Sequence, residues 1–146
     1  MKLNFCRVGL TFAALNRMRH ETAVERLGIR FSAIGSDFLC AEMPVDERTV
    51  QPYGVLHGGA SALLAETIGS VASNILLHGS GQRGVGIEIN ASHLRAVREG
   101  WVTGVCRPLR LGRSLHFWRI VVFDQQWRAC CDSRLTVKVM TPRDGG

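Results

Sequence analysis

The chain is 146 residues long, which suits one domain (1–146) with a single buried core. Its 46% hydrophobic and 21% charged content is ordinary for a globular protein, and no run approaches the roughly 20 apolar residues that span a bilayer, so no membrane partner is expected. The net charge of +6 comes from sixteen arginines against two lysines, with no aromatic-interleaved basic stripe and no helix-turn-helix pattern, which argues against a nucleic-acid partner.

Val8 to Leu15 is mildly apolar, but Arg17, Arg19 and His20 follow with no small-residue cleavage site. A signal peptide is therefore not expected, and the chain is placed in the cytoplasm. The five cysteines (Cys6, Cys40, Cys106, Cys130 and Cys131) are odd in number and match no zinc spacing. Buried, reduced thiols and no metal site are the expectation.

Leu10 to Leu27 carries apolar residues at helical spacing (Leu15, Met18, Val24, Leu27), with Gly28 as its stop. Ile29–Ile34 and Phe38–Val45 read as a hairpin around Gly35-Ser36-Asp37, and Asp46–Leu56 reads as a loop. A long helix follows from about Gly58 to Leu77. It is apolar nearly all round, through Leu63, Leu64, Ile68, Val71, Ile75 and Leu76, and such a helix belongs in the middle of a fold. After Gly79-Ser80-Gly81 everything is strand-like: Val85, Ile87 and Ile89 alternate with Gly86, Glu88 and Asn90, then Trp101–Leu109, Leu115–Phe123 and Arg128–Met140. Short links at Leu111-Gly112-Arg113 and Asp124-Gln125-Gln126 suit hairpins, so four strands of a meander are expected. The fold class is α+β: an antiparallel sheet curled round one central helix.

The chemistry concentrates at the helix start. His57, Gly58 and Gly59 leave bare N–H groups at a helix N-terminus, where a developing negative charge is stabilised. Gly59, Glu66, Ser70 and Ser73 fall on one stripe, and Glu66 and Ser70, four residues apart, can meet and hold a water between them. The competing explanation is a set of polar residues that bind one another in a subunit interface. Eight residues separate Gly58 from Glu66, about 12 Å along the axis, too far for both to act on one bond from the same helix. A joint action requires a second copy of the chain and a dimer with two shared sites. Gln51, on the loop entering the same place, has a side-chain N–H to donate, and His57 suits a role in holding the turn and orienting an acyl carbonyl.

Leu56-His57-Gly58-Gly59-Ala60-Ser61 followed by Ala65-Glu66-Thr67-Ile68-Gly69-Ser70 resembles the signature of hotdog-fold acyl-CoA thioesterases. The likeness runs from about Leu27 to Leu135 and includes Ala41–Asp46, Glu88–Ala91, Arg98–Gly100 and Gly104–Cys106. Within the family it lies nearest the bacterial branch that hydrolyses 1,4-dihydroxy-2-naphthoyl-CoA in menaquinone synthesis, beside a branch that clears misloaded aryl groups from the carrier protein of enterobactin synthesis. The resemblance implies that Glu66 is the catalytic carboxylate, as base or nucleophile, and that Gly58 supplies the oxyanion-hole N–H. Gln51 and His57 would position the thioester, and Ser70 would hold the water. It further implies coenzyme A contacts at Gly86, at His93, Leu94, Arg95 and Ala96, and at Arg110, Leu111, Gly112, Arg113, Ser114 and Leu115. His93 and Arg95 are read as sharing one face of a strand, and Arg95, Arg110 and Arg113 suit the phosphates of the nucleotide. The family often carries histidine where this chain has Arg110, and the residues up to about Arg26 match poorly.

No cofactor is implied, coenzyme A being part of the substrate; an acyl- or aryl-carrier protein is an alternative carrier, and a homodimer or homotetramer is the expected assembly. Two other functions compete. An acyl-thioester dehydratase would need a histidine where Gln51 stands. A non-catalytic acyl-CoA sensor would keep the arginines but not need Glu66 with Ser70.

Overall fold

The computed structural model describes residue 5 and residues 11–141; Cys6 and Leu10 lie outside them. Gly28, at φ +69°, ends the N-terminal helical region as expected, but that region is two pieces, α1 (Phe12–Arg17) and α2 (Ala23–Arg26). Between them Glu21 takes φ +58° while its N–H donates to Glu25 Oε2 at 2.7 Å, and the turn swings Met18 out to 70% exposure. Leu15 alone of the expected stripe is fully buried; Val24 and Leu27 pack at the core's margin. A regular spacing over 18 residues concealed a break because two short helices can each present their own apolar residue.

The expected hairpin is β1 (Arg30–Ile34) and β2 (Leu39–Val45), closed by Gly35 N–H donating to Phe38 O at 2.9 Å. The long helix α3 (Gly58–Leu76) follows, and then β3 (Arg83–His93), β4 (Gly100–Leu111), β5 (Leu115–Phe123) and β6 (Ala129–Met140). All six strands form one antiparallel sheet in the order β1-β2-β4-β5-β6-β3. The four-strand meander is therefore wrong: only β4-β5-β6 are consecutive neighbours, and β3 pairs with β6 at the far edge. Alternation along a strand says which face is buried, not which strand lies beside it.

The sheet curls round α3, whose Leu64, Ala65, Ile68, Ala72 and Ile75 are buried against it. Close seating depends on glycine: a Cβ at Gly104 would stand 2.5 Å from Ile68 Cδ1, and one at Gly69 would overlap Leu135 Cδ2. At the helix C-terminal half, Asn74 ties α3 to β3 by donating to Gly84 O and accepting from Gly84 N–H, each at 2.9 Å. In the single chain the helix is not covered all round. Leu63, Glu66, Thr67, Ser70 and Val71 are only half-buried. No helix among the described residues is long and apolar enough to cross a membrane.

β3 departs from its sequence pattern. Val85 and Ile87 point out, at 47% and 56% exposure, while Gly84 and Gly86 face the helix. The ladder to β6 slips between Gly86 and Glu88, leaving Ile87 as an extra residue. That bulge reverses the alternation, so that Ile89 and Ala91 face inward beyond it.

Candidate active site

The helix start is built by local hydrogen bonds. His57 is the N-cap of α3, its Nδ1 accepting from Gly59 N–H at 2.8 Å, and its carbonyl accepts from Ala60 and Ser61 N–H at 3.0 and 3.1 Å. Of the first-turn donors only the Gly58 N–H has no acceptor among the described residues. A bare N–H at the positive end of a 19-residue helix can stabilise negative charge on an oxygen docked there.

The entering loop is held against this point. His57 N–H donates to Thr49 O at 2.8 Å and Leu56 N–H to Val97 O at 2.7 Å, while Gln51 bridges its own turn, with N–H to Val55 O at 2.9 Å and Oε1 accepting from Tyr53 N–H at 2.5 Å. The Gln51 side-chain amide nitrogen donates to no described residue. His57 thus holds the turn, as expected, through its ring.

More than two turns into the helix, Ser70 Oγ donates to Glu66 Oε1 at 2.9 Å. The carboxylate lies flat against Gly86 of β3: a Cβ there would overlap Oε1 and stand 2.8 Å from Cδ. Gly86, expected among the coenzyme A contacts, is placed at the carboxylate. Ser73, on the same stripe of the helix, does not join Glu66 and Ser70. It is fully buried, accepting from Trp118 Nε1 at 2.8 Å and bonded to His116 Nδ1 at 3.1 Å. The sequence reading missed His116; its alternation in β5 marked it as inward-facing beside Trp118. Burial pushes the His116 pKa down, keeping the ring neutral.

The segment after β3 lines a cleft of about 300 Å³, formed by His93, Leu94, Arg95 and Ala96 with Val55, Leu56, Ser61 and Cys130. His93 and Arg95 do not share a strand face, because pairing stops at His93 and the chain turns, with both Leu94 and Arg95 N–H donating to Cys130 O. Even so, the cleft brings the two residues together. Burial pushes the Cys130 thiol up to about 11, so it is protonated and no nucleophile. The four described cysteines are free and buried.

Arg110, Gly112, Arg113, Ser114 and Leu115 line a separate hollow of about 310 Å³ with Phe117. On β6, Cys131 faces His93 while Lys138 faces Leu115, seven residues away and so about 23 Å along the strand. The two expected coenzyme A segments therefore lie at opposite ends of one chain. Arg95, Arg110 and Arg113 make no ion pair with any described residue.

Residues 53–131 match the Thioesterase superfamily. The chain is 55% identical to the proofreading thioesterase EntH of Cronobacter turicensis over 131 residues, covering 90% of this chain and 95% of that protein. It is 53% identical, over 90% of this chain and 96% of the other, to the 1,4-dihydroxy-2-naphthoyl-CoA hydrolase of Escherichia coli. The crystal structure of a thioesterase from Haemophilus influenzae superimposes with a TM-score of 0.88 at 48% identity, covering 90% of this chain and 92% of that one. By sequence and by architecture, this chain belongs to the thioesterase superfamily and is a thioesterase of hotdog fold.

Proposed function

We propose that this thioesterase hydrolyses an aryl-CoA, such as 1,4-dihydroxy-2-naphthoyl-CoA or a benzoyl-CoA, to the free acid and coenzyme A. By resemblance its place is in menaquinone synthesis. The observation that carries the reading is one helix-start N–H, on Gly58, that no described residue accepts, together with one carboxylate, on Glu66, held by Ser70 and seated on Gly86. The thioester oxygen takes the Gly58 N–H, with Gln51 and His57 positioning the acyl group. Glu66 then either removes a proton from water, which attacks the carbonyl carbon, or attacks that carbon itself to form a mixed anhydride, which water hydrolyses to the free acid and the restored carboxylate. In both cases the C–S bond breaks, and the sulfur leaves as the coenzyme A thiolate. Ser70 occupies Oε1 and leaves Oε2 for the water.

The site is shared between two copies. About 12 Å of helix separates Gly58 from Glu66 in one chain. The 11-residue β3 is an edge strand whose outer edge pairs with no described strand and can take a second β3. Antiparallel self-pairing about a two-fold axis reverses the second helix. Each Glu66, beside Gly86 near the middle of β3, is thereby carried towards the other copy's Gly58. The same operation brings the second copy's Arg110–Leu115 turn to the end where Leu94, Arg95 and Ala96 lie, so the arginines converge on one nucleotide. Pairing of such dimers gives the homotetramer that the resemblance implies. The buried free thiols suit the reducing cytoplasm.

The test is free-thiol release from a panel of aryl- and alkyl-CoA esters and from acyl-carrier protein, with wild type compared to Glu66→Gln. Turnover concentrated on aryl-CoA and lost by about 100-fold or more in the variant is expected. Preference for alkyl esters or for the carrier protein rejects the aryl-CoA assignment.

A further inference from the structure

The ring of His93 is pressed against the first residue of α3. A Cβ added at Gly58 would stand 2.7 Å from His93 Nε2, 3.1 Å from Cε1 and 3.2 Å from Cδ2, so the imidazole occupies the space that any side chain at position 58 would take. A Cβ lies roughly 2.5 Å from its own backbone nitrogen, which bounds the separation of Nε2 from the Gly58 nitrogen at about 5 Å. Two donors that share one oxygen, each about 2.9 Å from it, stand within that range of each other. No described residue takes a hydrogen bond from His93, and the ring is exposed in the cleft rather than buried.

We propose that His93 is a second oxyanion-hole donor, its Nε2–H joining the Gly58 N–H on the thioester oxygen, and not a coenzyme A contact. The proposal rests on the thioesterase reading above. Other side-chain donors are nearby, but their positions are set by other tasks. His57 faces Gly59 through its capping nitrogen, and Gln51 spends its oxygen on Tyr53 N–H. The ring of His93 lies against Gly58 itself. It comes from the last residue of β3, so the strand that seats Glu66 through Gly86 also aims the donor at the helix start. Because hydrogen bonding to this oxygen strengthens as negative charge develops there, its effect falls on the chemical step.

The experiment is steady-state kinetics of wild type, His93→Ala and His93→Gln on the best aryl-CoA ester, with the melting temperature of each variant recorded. His93→Ala should lower kcat by about 100-fold with KM changed by less than about twofold. His93→Gln, which keeps an N–H donor at similar reach, should recover a large part of kcat. A rise in KM at unchanged kcat makes His93 a substrate-binding contact and overturns the proposal, as does equal damage by Ala and Gln. A wild type that turns over no thioester removes the underlying reading and this inference with it, whereas an active wild type with a fully active His93→Ala removes this inference alone.

Discussion

Ser70 Oγ and Glu66 Oε1 are 2.9 Å apart, one helical turn from each other on the face of α3 that the sheet leaves half-open. A hydroxyl donating to a carboxylate fixes one oxygen and leaves the second directed elsewhere. Glu66→Gln should therefore lower kcat by about 100-fold or more. Ser70→Ala removes only one charge-assisted hydrogen bond and should cost about 10- to 100-fold. Single-turnover hydrolysis in ¹⁸O-water separates the two roles of Glu66. Label in Glu66 with none in the first-turnover product marks attack by the carboxylate, whereas label in the product with no trappable acyl-Glu66 anhydride marks direct attack by water.

Gly86→Ala places a methyl group where Glu66 Oε1 now lies. The carboxylate is half-buried at the end of a flexible side chain and can swing away, so the fold should survive while the base is displaced. Expected is a loss of kcat comparable to that of Glu66→Gln with unchanged circular dichroism. Retained activity would mean that the contact between Gly86 and Glu66 has no part in catalysis.

Chains crippled at opposite halves of a shared site should rescue one another. Gly58→Val drives a side chain into His93, and Glu66→Gln removes the carboxylate; each alone should be nearly inactive. Co-refolded in equal amounts they should recover about a quarter of wild-type activity, since half of random dimers are mixed and each mixed dimer holds one intact site of two. No recovery, with mixed dimers verified by mass, places both groups of each site on one chain.

His116 gives stability its dependence on mildly acidic pH. Its pKa is lowered by burial, and its Nδ1 faces Ser73 Oγ, which already accepts the Trp118 N–H, so the Ser73 hydroxyl proton is left to point at the ring. A protonated ring would lose that acceptor. At pH values well above about 6.5, as at pH 8, the imidazole is neutral in folded and unfolded chains and contributes no slope. As pH falls below that value the unfolded chain takes up the proton more readily, and stability declines by at most about 1.4 kcal/mol per pH unit for the single proton. Urea unfolding at pH 8, 6.5 and 5 should show most of the fall between the last two, and His116→Asn should flatten it. The carboxylates Asp46 and Asp132, held low chiefly by hydrogen bonds from Arg48 and Arg119, lose their contribution as pH falls below about 4, outside this window.

What the amino-acid order determined by itself was local. The extent of α3, the β1–β2 hairpin, the meeting of Ser70 with Glu66 and the cap formed by His57 all follow from residues within four positions of one another, or from a short turn, where helical and strand periods fix geometry. The separation of Gly58 from Glu66 was legible for the same reason, since the rise of a helix is constant. Tertiary structure decided everything that joins distant segments. Strand order depends on which edge α3 leaves free for β3, and the bulge at Ile87 depends on the register against β6, so Val85 and Ile87 face out although their pattern matched a core strand. Ser73 shares Glu66's stripe on the helix but is claimed by His116 and Trp118, more than 40 residues away, because the curved sheet closes over that end of α3. The placing of His93 on Gly58 and of Glu66 on Gly86 belongs to this second class. No period relates two chain segments that meet only when a sheet folds round a helix, so these contacts became visible only with the packing that makes them.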